Sequence, residues 1–244
     1  MDCQTGGDGI GKGVGAKVVQ LRFLVRKQGV LLALIELMFL IFFAQAIFGR
    51  EWYRGAMAVP AEVVRSWRHL LAGEAGGKDA LELLTLVSCA FLHGDFEHVL
   101  FNMLWVWMFG ALLVELLGWR WMLGIFLATA VSGSVAHIAL NHEKFIPMLG
   151  ASGALMGFEG AYLGLAVRWP LPNPHIWPMA RPVSPGTLGL LAVVGVAIDY
   201  TSLMGGREEG IAYGAHIGGF TGGLLIAALL APRPKIPLTG FRRW

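Results

Sequence analysis

The chain has 244 residues, 56% of them hydrophobic and only 14% charged, with a formal net charge of +3. Soluble domains carry about a quarter charged residues, so a chain this apolar cannot cover a water-facing surface. That excludes a soluble enzyme, and with it disordered, collagen-like and disulfide-dense scaffolds; the two cysteines, Cys3 and Cys89, have unlike surroundings and are not expected to pair. A polytopic membrane protein remains.

In chain order, residues 1–29 are glycine-rich and basic and read as a flexible tail. Crossing ~30 Å of hydrocarbon takes about 20 apolar residues. Runs of that kind follow at 30–48, 98–117, 121–140, 150–167, 187–204 and 211–231, six in all. They must be helices, because an open sheet cannot satisfy its backbone in lipid. Trp119, Trp121, Trp169 and Trp177 fall at or just beyond span ends, where indole rings favour the interface. The first run starts late and lacks a small-residue cleavage site, so a cleaved leader is not expected. Between spans 1 and 2 lies a long segment, 49–97, whose stretch 60–71 (PAEVVRSWRHLL) has the spacing of an amphipathic surface helix. Connections this long are usually functional. Residues 232–244 form a short basic tail. No internal repeat of the transporter kind is evident.

Charge sets the orientation. With the N-terminus inside, the inner segments hold 12 of the 19 basic residues, and the other seven lie outside among ten acidic ones. Both tails are therefore expected in the cytoplasm, by the positive-inside bias. The +3 charge reflects topology, and no nucleic-acid partner is implied.

Polar side chains within the spans need a reason to be there. They include Glu36 and Gln45 in span 1, His98, Asn102 and Glu115 in span 2, and Ser132, Ser134 and His137 in span 3. Span 4 has Ser152 and Glu159, span 5 Asp199, and span 6 His216 and Thr221. Any one alone reads as a tie between helices. Depth changes the weighing: spans 2, 4 and 6 all run inward, and His98, Asn102, Ser152 and His216 sit near their outer ends. His98 and Asn102, four apart, share a helix face. A nucleophile, a base and two donors at one depth make an active-site pattern.

The local motifs fit. Gly150-Ala151-Ser152-Gly153 opens span 4, so free N–H groups at the helix start can meet a developing oxyanion. Position 154 is alanine, so this is not the G-x-S-x-G elbow. In span 6, His216 stands among small residues at Gly214, Ala215, Gly218, Gly219, Gly222 and Gly223, whose spacing lets helices touch backbone to backbone. Glu159, seven residues after Ser152, falls about 20° from the same face and two turns deeper. It is expected to be neutral or hydrogen-bonded, for instance to Thr221 of span 6.

His98-Val99-Leu100-Phe101-Asn102, Gly150-Ala151-Ser152-Gly153 and Ala215-His216-Ile217-Gly218-Gly219, in this order on six spans, resemble the rhomboid intramembrane serine proteases. The resemblance covers 30–231 and implies an all-α, six-transmembrane-helix bundle with a partly helical outer loop between helices 1 and 2. It implies Ser152 as nucleophile and His216 as general base, with His98, Asn102, Gly150 and Gly153 serving the oxyanion and substrate positioning. His93 matches an upstream histidine often found in the family's first loop. The family's Trp-Arg pair is here Leu84-Thr85, and the tyrosine some members place four residues after the serine is Met156. No acidic third member is placed, in line with a two-residue mechanism; Asp199 is the one intramembrane candidate in span 5. The implied activity is endopeptidase cleavage of transmembrane protein substrates in the bilayer, without cofactor or metal, in a bacterial plasma membrane.

The alternatives are a rhomboid-like protein that binds transmembrane helices without cutting them, and a transporter with Glu36, Glu159 and Asp199 as a proton path. A zinc protease fails, because His142-Glu143 is not followed by a second histidine at Phe145 or Ile146. The cluster of His93, Asp95, Glu97 and His98 lacks a fixed ligand geometry.

Overall fold

The computed structural model describes residues 9–171, 184–205 and 212–234. The chain opens with a long helix, α1 (Gly9–Phe48), whose apolar portion is Gln28–Phe48. The stretch read as a flexible tail is thus helical from Gly9 onward. No proline interrupts residues 9–29, and a helix already paid for by the apolar span propagates at little further cost. Residues 1–8, 235–244, Trp177 and the first residue of the sixth run lie outside the described residues.

The long segment after α1 is largely helical. It contains α2 (Arg50–Tyr53), α3 (Pro60–Ala72) and α4 (Gly77–Ser88), with short 3₁₀ turns at Arg54–Ala56 and Cys89–Phe91. The amphipathic helix expected at 60–71 is α3. It starts with Pro60 at N1 and stops at Gly73 in the left-handed region, the residue types those positions favour. It turns Val63 inward and leaves Trp67 and Leu71 exposed. His69 Nδ1 lies 2.8 Å from Asp79 Oδ1, and the Gly76 N–H donates to Asp79 Oδ2 at 2.8 Å. The backbone donor chiefly, and then His69, hold the Asp79 carboxyl down at about 2.

Five further helices follow: α5 (Phe96–Leu117), α6 (Trp119–Leu140), α7 (Ser152–Arg168), α8 (Pro185–Met204) and α9 (Tyr213–Leu225). A π-helical turn, Ile226–Leu230, extends α9. Asp95 caps α5 by accepting from the His98 N–H at 2.8 Å. Gly118 alone joins α5 to α6, at a φ of 93° that favours glycine. Among the described residues, five helices are long and apolar enough to cross a membrane; α7, at 17 residues, falls short of that length.

Its shortness is explained by its place. α7 is enclosed by the others, with Gly153, Leu155, Gly157, Phe158, Gly160, Tyr162 and Leu165 among its buried positions. Its closest packing is with α9 and α6. A methyl group added at Gly219 would collide with the Gly153 carbonyl, and one at Gly223 with the Gly157 carbonyl. Seen from α7, a methyl group at Gly160 would strike the Phe220 carbonyl. The small residues of α9 therefore do let two backbones meet, as helix pairs in lipid require when hydrophobic driving force is missing. At the other end, the Arg168 guanidinium donates to the carbonyls of Ala228 and Ala231, each at 3.2 Å, satisfying acceptors that the π turn leaves open.

Candidate active site

Ser152 is the first residue of α7, and the loop before it is anchored on both sides. Met148 and Ala58 exchange backbone hydrogen bonds of 2.8 and 3.3 Å, and the Gly150 N–H donates to the Cys89 carbonyl at 2.9 Å. The segment between spans 1 and 2 thus holds the serine's approach in place. Gly150 has a φ of 125°, accessible to glycine, and a methyl group there would come within 2.8 Å of the His98 ring. The His98 imidazole consequently lies against the bare backbone of the serine loop, 3.9 Å of clearance separating that same methyl position from Ser152 Oγ.

α9 brings in the histidine. His216 Nε2 is 2.9 Å from Ser152 Oγ, hydrogen-bond distance across 64 residues of sequence. The contact follows from the glycine packing: Gly153, next to Ser152, presses against Gly219, which lies about one turn on from His216. Gly153, expected from sequence to serve the oxyanion or substrate, faces α9 closely: a methyl group there would lie 3.2 Å from the Ala215 carbonyl.

The second nitrogen of His216 is also occupied. Nδ1 lies 2.9 Å from Asp199 Oδ2 on α8. A carboxylate, an imidazole and a hydroxyl thus stand at successive hydrogen-bond distances, where the sequence placed no acidic third member. Spacing could not reveal this, because nothing in a run of apolar residues fixes the rotation of α8 against α9. Tyr213 packs edge-on to the His216 ring, with centroids 6.5 Å apart.

Asn102 is buried on α5, and its amide nitrogen has no hydrogen-bond partner among the described residues. A buried donor left open in this way is costly unless a ligand meets it. His93 packs edge-on to His98 with centroids 5.2 Å apart, and its backbone exchanges two 3.1 Å hydrogen bonds with the Gln45 side chain. That accounts for Gln45 in the first span. Glu159 is buried below the site, but its partner is the indole N–H of Trp105 on α5, and Thr221 is exposed. Among the described residues, no group of three or more His, Cys, Asp or Glu side chains is arranged to hold a metal ion.

Fold and site together define a multi-pass helical membrane protein whose central short helix opens on a serine engaged by a histidine. Residues 80–233 match the family model of the Rhomboid domain, well over half of the chain. The chain belongs to the rhomboid family. It is 30% identical over 174 residues to the protein named Rhomboid protein 1, mitochondrial, of Saccharomyces cerevisiae, covering 64% of this chain and 48% of the yeast protein. It is 32% identical over 157 residues to Rhomboid protease GluP of Bacillus subtilis, covering 64% of this chain and 28% of that one. With Rhomboid protease GlpG of Yersinia pestis the identity is 29% over 165 residues, 67% of this chain and 53% of its relative. The chain thus spans about half the length, or less, of these curated relatives.

Proposed function

We propose that the protein is an intramembrane serine endopeptidase that cleaves transmembrane segments of other membrane proteins. The observation that carries this reading is the 2.9 Å approach of His216 Nε2 to Ser152 Oγ, at the head of a helix buried within the bundle. In the proposed reaction Ser152 Oγ attacks the scissile carbonyl while His216 Nε2 takes its proton. The oxyanion is met by the open amide of Asn102, by His98 and by free N–H groups at the start of α7. His216 then returns the proton to the leaving amine, and water hydrolyses the acyl-enzyme by the same base. Gly150 lets the substrate backbone approach without a side chain in the way. No cofactor takes part in these steps. The orientation that suits this reading has both termini in the cytoplasm and the site opening outward, in a bacterial plasma membrane.

The test is cleavage of a model transmembrane substrate by purified protein in liposomes. Ser152→Ala and His216→Ala are each expected to abolish turnover while leaving the protein folded, and a fluorophosphonate to label the wild type at Ser152. Normal turnover by Ser152→Ala rules the reading out. A folded wild type that neither cleaves nor labels favours a helix-binding protein instead.

A further inference from the structure

The least expected polar contact in the bundle is the one made by Asp199. Its helix, α8, is poorly enclosed: Leu188, Gly189 and Ala192 are its buried residues, all in the first half. The second half exposes Ile198, Tyr200 and Met204. A carboxylate on such a stretch is expensive in lipid, and intramembrane acids persist where they are paired. Asp199 is turned away from the exposed flank, its side chain 16% exposed, toward an imidazole equally sheltered at 16%.

The two 2.9 Å contacts of His216 constrain its protons. A neutral imidazole carries one N–H, and an ionised carboxylate can only accept. Asp199 Oδ2 therefore selects the tautomer with the proton on Nδ1, which leaves the Nε2 lone pair facing the Ser152 hydroxyl. During attack the proton of Ser152 Oγ moves to Nε2 as the Oγ–carbon bond forms. The resulting imidazolium then faces a carboxylate that keeps its charge and takes no proton. When the amide C–N bond breaks, the proton passes from Nε2 to the leaving nitrogen.

We infer that Asp199 is a positioning residue that fixes the tautomer of His216 and stabilises its protonated form, making the site a carboxylate–imidazole–hydroxyl triad assembled from α8, α9 and α7. The inference rests on the protease reading given above. The other titratable groups whose charge reaches His216 are His98 on α5, His137 on α6 and Glu159 on α7, with Tyr213 beside it on α9. None of these is at hydrogen-bond distance from its nitrogens among the described contacts, so Asp199 is the group whose removal speaks for the triad.

The experiment compares wild type, Ser152→Ala, Asp199→Asn, Asp199→Ala and Asp199→Glu in liposomes, with a model transmembrane substrate and a fluorophosphonate. An amide at 199 favours the opposite tautomer, a change that costs about 10⁴ in kcat in a soluble triad. Asp199→Asn is expected to lose about 10²–10⁴ in kcat, with KM little changed. In Asp199→Ala the imidazolium loses its partner, so kcat is expected to fall with KM little changed. Asp199→Glu is expected to recover part of the rate that Asn loses. Nitrogen-15 shifts of His216 in the wild type are expected to report N–H on Nδ1 and a bare Nε2 at neutral pH.

Asp199→Asn turning over at the wild-type rate overturns the triad while a dead Ser152→Ala keeps the protease. If Asp199→Asn does not fold, the wild-type tautomer decides: N–H on Nε2 overturns the inference, and N–H on Nδ1 supports it. A wild type that neither cleaves nor labels removes the protease reading and the triad together.

Discussion

At the scale of single residues, the open amide of Asn102 is the group whose role is easiest to separate from packing. It is buried and unpartnered in the described structure, so it contributes no tie that its loss would break. Asn102→Ala is therefore expected to leave thermal stability close to wild type. Its effect on chemistry is expected to be large: removal of one oxyanion donor lowers kcat by about 10²–10³. His98 differs, because its ring fills the space against Gly150 and packs on His93. Measuring kcat and the melting temperature of Asn102→Ala together checks the assignment. A strong loss of stability with unchanged specific activity would make Asn102 structural glue.

Among secondary elements, the decisive contact is α7 against α9, and it depends on missing side chains. The carbonyl of Gly153 occupies the place where a methyl group at 219 would be, so Gly219→Ala must push the helices apart. Overpacking of this kind costs about 1–3 kcal/mol. The larger effect is on reactivity, because a shift of about 1 Å between reacting groups can cost on the order of 10²-fold. Gly195 on α8 has open space around it, so Gly195→Ala is expected to be silent. Cleavage rates of Gly219→Ala and Gly195→Ala, measured on folded protein, check the pair; equal activity would show that the two helices do not need their close approach. This packing was legible in the sequence, since Gly218, Gly219, Gly222 and Gly223 repeat at helical spacing around His216. The partners of buried acids were not. The spacing puts Glu159 about 20° from the face of Ser152, yet which neighbour it meets depends on the azimuth of α5, and Trp105 rather than Thr221 provides the donor. Asp199 was visible only as an acid out of place. Periodicity gives a residue's face on its own helix and is silent about how far that helix is rotated toward the next.

For the whole molecule, the short α7 fixes how deep the chemistry lies. Arg168 and Trp169 end the helix, the guanidinium lying 4.2 Å from the ring centroid and holding the last carbonyls of the neighbouring π turn. A cation and an indole together belong at the membrane interface. From Arg168 back to Ser152 is about 24 Å at 1.5 Å per residue. Against a hydrocarbon core of ~30 Å, that leaves Ser152 about 6 Å below the far boundary. In the proposed orientation Arg168 is cytoplasmic, so the serine lies beneath the outer surface, where the segment between spans 1 and 2 surrounds its loop. A model substrate is therefore expected to be cut within about two helical turns of the outer end of its transmembrane segment, roughly the depth Ser152 reaches. Mass spectrometry of the two fragments locates the bond. In a Cys3→Ser, Cys89→Ser background, Arg68→Cys should label from the outside and Arg120→Cys only from the inside. A cut in the cytoplasmic half with that labelling would place substrate binding away from the head of α7. Reversed labelling would instead invert the bundle, so that the same serine would work from the inner leaflet on segments entering there.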